Sequence, residues 1–132
     1  MSVSRKAACS CGALTATCVG EPARVSVCHC LACQQRTGSA FGVQARYEEE
    51  QVTVDGPVSL FNRVGDGGMH MTSGFCPGCG TTLLWRIAEA PGVVAIAVGA
   101  FADPQFPPPV RSIYEERKHA WVTLTGDIEH EH

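Results

Sequence analysis

Cysteine spacing constrains this chain more than any other feature. Seven of its eight cysteines fall into three tight groups: Cys9-Ser10-Cys11, Cys28-His29-Cys30-Leu31-Ala32-Cys33, and Cys76-Pro77-Gly78-Cys79. Two cysteines one or two residues apart are poorly placed to bridge each other, because a disulfide demands a set separation and dihedral. Their sulfurs can instead converge on one metal ion. The start, Met1-Ser2-Val3-Ser4-Arg5-Lys6, contains no apolar run long enough for a signal peptide. No stretch approaches the ~20 apolar residues of a membrane helix. The expected location is therefore cytoplasmic, where thiols stay reduced and grouped cysteines act as metal ligands.

Charge narrows the partners. Ten basic residues face 13 acidic ones, with no basic cluster along the sequence. A nucleic-acid-binding domain normally carries a cationic stripe, so that class is disfavoured. A hydrophobic share of 45% against 17% charged fits a globular chain. One domain spanning residues 1–132 is expected, with its core over about 7–122 and a polar, frayed tail over 123–132.

Glycine (14) and proline (8) punctuate the chain, and β-branched residues fill the short stretches between them. That pattern predicts a mainly β fold with little helix. Expected strands are Leu14–Val19, Arg24–Cys28, Phe41–Tyr47, Val52–Val54, Val58–Asn62, Met69–Phe75, Thr82–Ile87, Val93–Gly99 and Ser112–Tyr114. In the first of these, Leu14, Ala16 and Cys18 share one face by alternation. Helical turns are expected only around Leu31–Arg36, starting inside a cysteine group, and around Glu115–Ala120. Glu48-Glu49-Glu50 reads as a solvated turn.

Cys76-Pro77-Gly78-Cys79-Gly80 has the form of a zinc knuckle, whose tight turn aims backbone N–H groups at thiolate sulfur. A knuckle brings two ligands and a closed tetrahedral site needs four. Cys9 and Cys11 are the short-spaced pair left once the triplet is set aside. The expected structural site is thus Cys9, Cys11, Cys76 and Cys79. Cys28, Cys30 and Cys33 can hold a second zinc with a vacant fourth position, the arrangement of a catalytic centre. The alternative is a closed site completed by Cys18, His70 or His119. Cys18 otherwise reads as a small core residue, and His29 should point away from the metal. Three thiolates on a divalent ion leave the centre anionic, favouring capture of a thiol over generation of hydroxide. Beyond the triplet, Gln35, Arg36, Thr37, Gly38, Ser39 and Phe41 offer polar groups and a turn for a small anionic, peptide-like ligand. The same residues also read as a turn leaving the metal loop.

These motifs together resemble the glutathione-dependent formaldehyde-activating enzymes, which share a domain with centromere protein V. The resemblance rests on Cys9-Ser10-Cys11-Gly12, on Cys28 to Cys33 followed by Gln35-Arg36-Thr37-Gly38-Ser39-Ala40-Phe41, and on Phe75-Cys76-Pro77-Gly78-Cys79-Gly80. It extends through Val94–Gly99, Asp103-Pro104, Arg117 and Trp121, covering roughly residues 7 to 122. It implies a tent-like set of β-sheets with one structural and one catalytic zinc, the latter on Cys28, Cys30 and Cys33. It implies a carbon–sulfur lyase reaction, joining glutathione and formaldehyde as S-(hydroxymethyl)glutathione, in a monomer or homodimer. The chain departs from the family at Ser73-Gly74, often basic elsewhere, and at Ser112-Ile113, where histidine is frequent. A non-catalytic module binding glutathione or a protein is the competing expectation.

Overall fold

The computed structural model describes residues 3–132. Two sheets pack face to face. The smaller joins β1 (Ser4–Ala8), β2 (Thr15–Val19) and β5 (Val52–Asp55) in the order β1-β2-β5. The larger contains β3 (Arg24–Cys28), β4 (Gly42–Glu48), β6 (Ser59–Val64), β7 (His70–Phe75), β8 (Thr82–Ile87), β9 (Val93–Ala97), β10 (Arg111–Ile113) and β11 (Glu129–His130). Its order is β11-β10-β3-β4-β9-β8-β7-β6, with β10 parallel to both neighbours and the other pairs antiparallel. The single α-helix, α1 (Leu31–Thr37), follows β3. The mainly β expectation holds.

Alternation divides the large sheet into two faces with different duties. Val25, Ala45, Tyr47, Leu84, Val94 and Ile96 point toward the small sheet and form the core with Ala7, Leu14, Ala16 and Cys18. The shared face expected for Leu14, Ala16 and Cys18 is present, all three fully buried. Burial pushes the Cys18 thiol up to about 11, so it behaves as a small apolar side chain. On the opposite face the register aligns Arg24 with Arg46, Ser26 with Gln44, and Cys28 with Gly42. Arg111 and Ile113 continue that face on β10, and Trp85 on β8 lies beside Ala95.

Several expected elements shift. β1 precedes the first expected strand; its Ser-Arg-Lys run conceals the alternation that buries Ala7 opposite Ala16. The strand expected over Val93–Gly99 ends at Ala97, where Val98–Phe101 forms a 3-10 turn closed by Ala102 in the left-handed region. Around 115–120 only Glu115–Arg117 makes a 3-10 turn, between left-handed Tyr114 and extended Lys118. Glu48-Glu49-Glu50 does sit at a turn, and Glu49 pairs with Arg86. In the tail, Glu129 and His130 pair alongside β10, held by Glu129 N–H to Val110 O and Glu131 N–H to Ser112 O.

Gly56, at the end of β5, marks the tightest backbone contact with the small sheet. Its φ is +103° and a Cβ there would lie 1.9 Å from the Ala13 carbonyl oxygen. Gly56→Ala should therefore destabilise the protein by about 3 kcal/mol, from backbone displacement plus a disfavoured dihedral. A chemical denaturation midpoint indistinguishable from the parent would refute this.

Candidate functional site

The two sets of sulfurs assemble in different places. Cys9 and Cys11 sit in the turn between β1 and β2, and Cys76 and Cys79 in the turn between β7 and β8. Their four Sγ atoms all lie within 4.8 Å of one another. Cys11 Sγ is 3.6 Å from Cys9 Sγ and 3.7 Å from Cys76 Sγ. Leu14 N–H donates to Cys9 Sγ at 3.2 Å and pulls that thiol below its ordinary range. The Thr81 hydroxyl lies 3.4 Å from Cys79 Sγ and is the main reason that thiol falls to about 5. Four convergent thiols, with N–H and O–H donors favouring their anionic form, are a donor set that fits a tetrahedral zinc. The site ties the small sheet to the large one.

The second set sits where β3 meets α1. Cys28 ends β3, Cys30 is the N-cap of α1, and Cys33 lies in its first turn. Cys30 Sγ accepts the Cys33 N–H at 3.3 Å. All three sulfurs lie within 4.8 Å of one another and all three residues are buried. The cluster behaves as a trap for negative charge. Cys33 is held down to about 3 by hydrogen bonds from Cys28 and Cys30, against burial and with help from Arg36. Cys28 is pushed up because its proton is the one shared with the other two. A dication replacing those shared protons fits this donor set.

No fourth histidine, cysteine or carboxylate joins the triplet among the described residues. Cys18 is in the opposite core, His70 pairs with Glu89 on the surface, and His119 bonds Gln34. His29 turns away from the sulfurs as expected. It is fully buried, its Nε2 is 2.9 Å from Ser112 Oγ, and its ring packs edge-on to Phe41. Burial lowers its pKa, so it is neutral there.

What faces the triplet is a cavity of about 450 Å³ bounded by Met69, Met71, Trp85, Ile113 and Tyr114. Tyr114 packs against the cysteine cluster. Its φ of +57° is unusual for an aromatic residue and marks a held position. Gly67 makes room for it: a Cβ there would meet the Tyr114 hydroxyl at 2.3 Å. Sequence reasoning read Tyr114 only as the end of a strand; a left-handed aromatic has no signature in composition or spacing.

The polar residues after the triplet spread over other surroundings. Arg36, Thr37 and Phe41 line a separate cavity of about 750 Å³ that runs to Cys9 and Ser10. The Arg36 guanidinium lies 3.7 Å from the centroid of the Trp85 ring, beside Cys33. Gly42 leaves room for the guanidinium, since a Cβ there would come within 2.7 Å of Arg36 Nη2. Thr37 Oγ1 donates to Cys33 O at 2.8 Å and accepts from Ser39 N–H, while Gly38 closes the helix in the left-handed region. Gln35 Oε1 accepts from Arg63 Nη2. Thr37, Gly38 and Ser39 thus form the turn leaving the cysteine loop, and Arg36 is the cation beside Cys33.

The family model for glutathione-dependent formaldehyde-activating enzymes matches residues 4–117. The chain belongs to that family. The match begins at β1 and spans both cysteine clusters. A crystal structure of a Rhodobacter sphaeroides protein from a structural genomics effort has a similar fold, with a TM-score of 0.56 at 20% identity. The similarity covers 72% of this chain and 85% of the other. No curated protein matches the chain by sequence. No helix among the described residues is long and apolar enough to cross a membrane.

Proposed function

We propose that this member of the family is a zinc-dependent enzyme of the carbon–sulfur lyase type, joining a small glutathione-like thiol to a small aldehyde such as formaldehyde. The observation that carries the reading is the contrast between the two centres: one has four protein sulfurs, while the other has three that open onto a cavity of small-molecule size. Zinc, when bound, supplies the charge that keeps an incoming thiol deprotonated at neutral pH. Cys28, Cys30 and Cys33 would hold the ion at the wall of the cavity. Arg36, braced on Trp85, offsets the accumulated negative charge beside Cys33. Met69, Met71 and Ile113 limit water around the reacting atoms.

The chemistry is an addition in which nothing is lost. The thiol sulfur forms a bond to the carbonyl carbon, the π pair moves to oxygen, and the proton released by the thiol ends on that oxygen. Tyr114, facing the triplet, is the hydroxyl in place to donate a hydrogen bond to the developing oxyanion. The reverse reaction retraces the same path. Because thiols and formaldehyde combine without help, positioning accounts for most of the gain.

Adduct formation followed by NMR, with glutathione and formaldehyde at equal concentration, tests the reading. Zinc-loaded protein at micromolar concentration should speed the approach to equilibrium by about tenfold or more. A rate equal to that in buffer, with glutathione still bound, would make the chain a thiol-binding module.

A further inference from the structure

The cavity that opens on the cysteine triplet has a second wall of different chemistry. Arg24 on β3, Arg46 on β4 and Arg111 on β10 all line it. Arg24 and Arg46 are direct cross-strand partners, and Arg111 aligns with Ser26 on the same face. Like charges placed opposite each other on a sheet repel, so this arrangement is unfavourable unless an anion joins it. The Arg24 guanidinium feels that strain: burial first, then Arg46 and Arg111, lower its pKa. Its Nε is buried without a partner. Of the three, only Arg111 enters an ion pair among the described residues, and its partner is Glu131.

Glu131 indicates which anion suits the site. It follows β11, whose pairing with β10 delivers its carboxylate to Arg111 Nε and places Glu131 and His132 on the cavity wall. A side-chain carboxylate of the chain itself thus rests on one of three clustered guanidiniums. The other two form no ion pair among the described residues, Arg24 feeling Glu131 and Glu129 only at longer range, in a chain where acidic residues outnumber basic ones.

We propose that Arg24, Arg46 and Arg111 form a carboxylate-binding subsite, and that Glu131 is its internal occupant, displaced when a carboxylate-bearing thiol enters. The identity of the ligand as a thiol rests on the function proposed above; the anion subsite does not. The spacing suits such a ligand. Arg24 and Cys28 lie four residues apart on one strand face, about 13 Å at ~3.3 Å per residue. An extended tripeptide covers about 10 Å, and arginine side chains close the remainder. The subsite selects small peptide thiols with a free carboxylate over neutral thiols of equal size, because planar guanidinium pairs with carboxylate in a fixed bidentate geometry.

The test uses S-methylglutathione, which keeps both carboxylates and has no thiol, titrated calorimetrically into zinc-loaded protein. Its dimethyl ester should bind the parent protein about tenfold more weakly or worse, a comparison that needs no variant. Arg46→Met and Arg24→Met, at parental zinc content, should each weaken S-methylglutathione by a similar factor. Glu131→Gln should tighten it several-fold by freeing Arg111. Equal affinity for acid and ester, no binding of the acid, or no tightening in Glu131→Gln would overturn the proposal. Since the probe carries no thiol, a protein that binds it in this pattern yet fails to speed adduct formation keeps the subsite and loses only the enzymatic reading.

Discussion

Cys76→Ser should leave the chain largely unfolded at room temperature. Cys76 is 1% exposed and belongs to the hydrophobic core as well as to the four-sulfur site. Its Sγ lies 3.7 Å from that of Cys11, a residue 65 positions away in sequence. The site therefore closes a long loop and clips the small sheet to the large one, so its binding free energy is folding free energy. Structural zinc sites of this kind contribute roughly 10–16 kcal/mol, whereas a whole domain is stable by only about 5–15 kcal/mol. Losing one of four thiolates, and leaving a hydroxyl buried in its place, removes enough of that to cross the threshold. Far-ultraviolet circular dichroism and zinc per chain measure the outcome. A cooperative melt close to the parental one would show that the core alone holds the two sheets together.

Cys30→Ser should have the opposite profile, with a retained fold and adduct formation reduced to the spontaneous rate. Cys30 is the N-cap of α1, where its sulfur accepts the Cys33 N–H. Serine is among the best residues for that position, so the helix keeps its cap. The triplet lies outside the main core, so its loss leaves the sheets clipped by the other site. What disappears is a third sulfur ligand, and two thiolates with a neutral hydroxyl hold zinc weakly. Expected are one zinc per chain in place of two, a melting temperature within a few degrees of the parent, and no acceleration. Residual acceleration in a protein carrying one zinc would sink the assignment of chemistry to the triplet.

The grouping of the seven clustered cysteines was legible in the sequence because short spacing and ligand valence limit the choices. Short-spaced cysteines are poor disulfide partners, and a knuckle requires two further ligands, which leaves one pair for Cys76 and Cys79. Alternation was equally legible where it was clean, as at Leu14, Ala16 and Cys18. It failed at β1, whose polar run Ser4-Arg5-Lys6 masks a buried Ala7, and at β11, a two-residue strand with no apolar pattern. The walls of the cavity were illegible for a different reason. Arg24, Arg46 and Arg111 are scattered along the chain and become neighbours only through register. Arg36, Thr37 and Phe41 follow the triplet in sequence, yet the turns of α1 and its left-handed cap carry them to the neighbouring cavity. Proximity along the chain was a good guide to which sulfurs of the triplet converge and a poor one to what surrounds them.

The two-faced large sheet has a consequence for how such a protein can be altered. Positions 24, 26, 44, 46 and 111 share one surface, while their immediate neighbours 25, 27, 43, 45 and 47 point the other way. A library that diversifies only the first set would recast ligand preference while leaving the hydrophobic interior untouched. The period of two in an extended chain thus separates, residue by residue, the positions free to evolve new selectivity from those that must stay apolar.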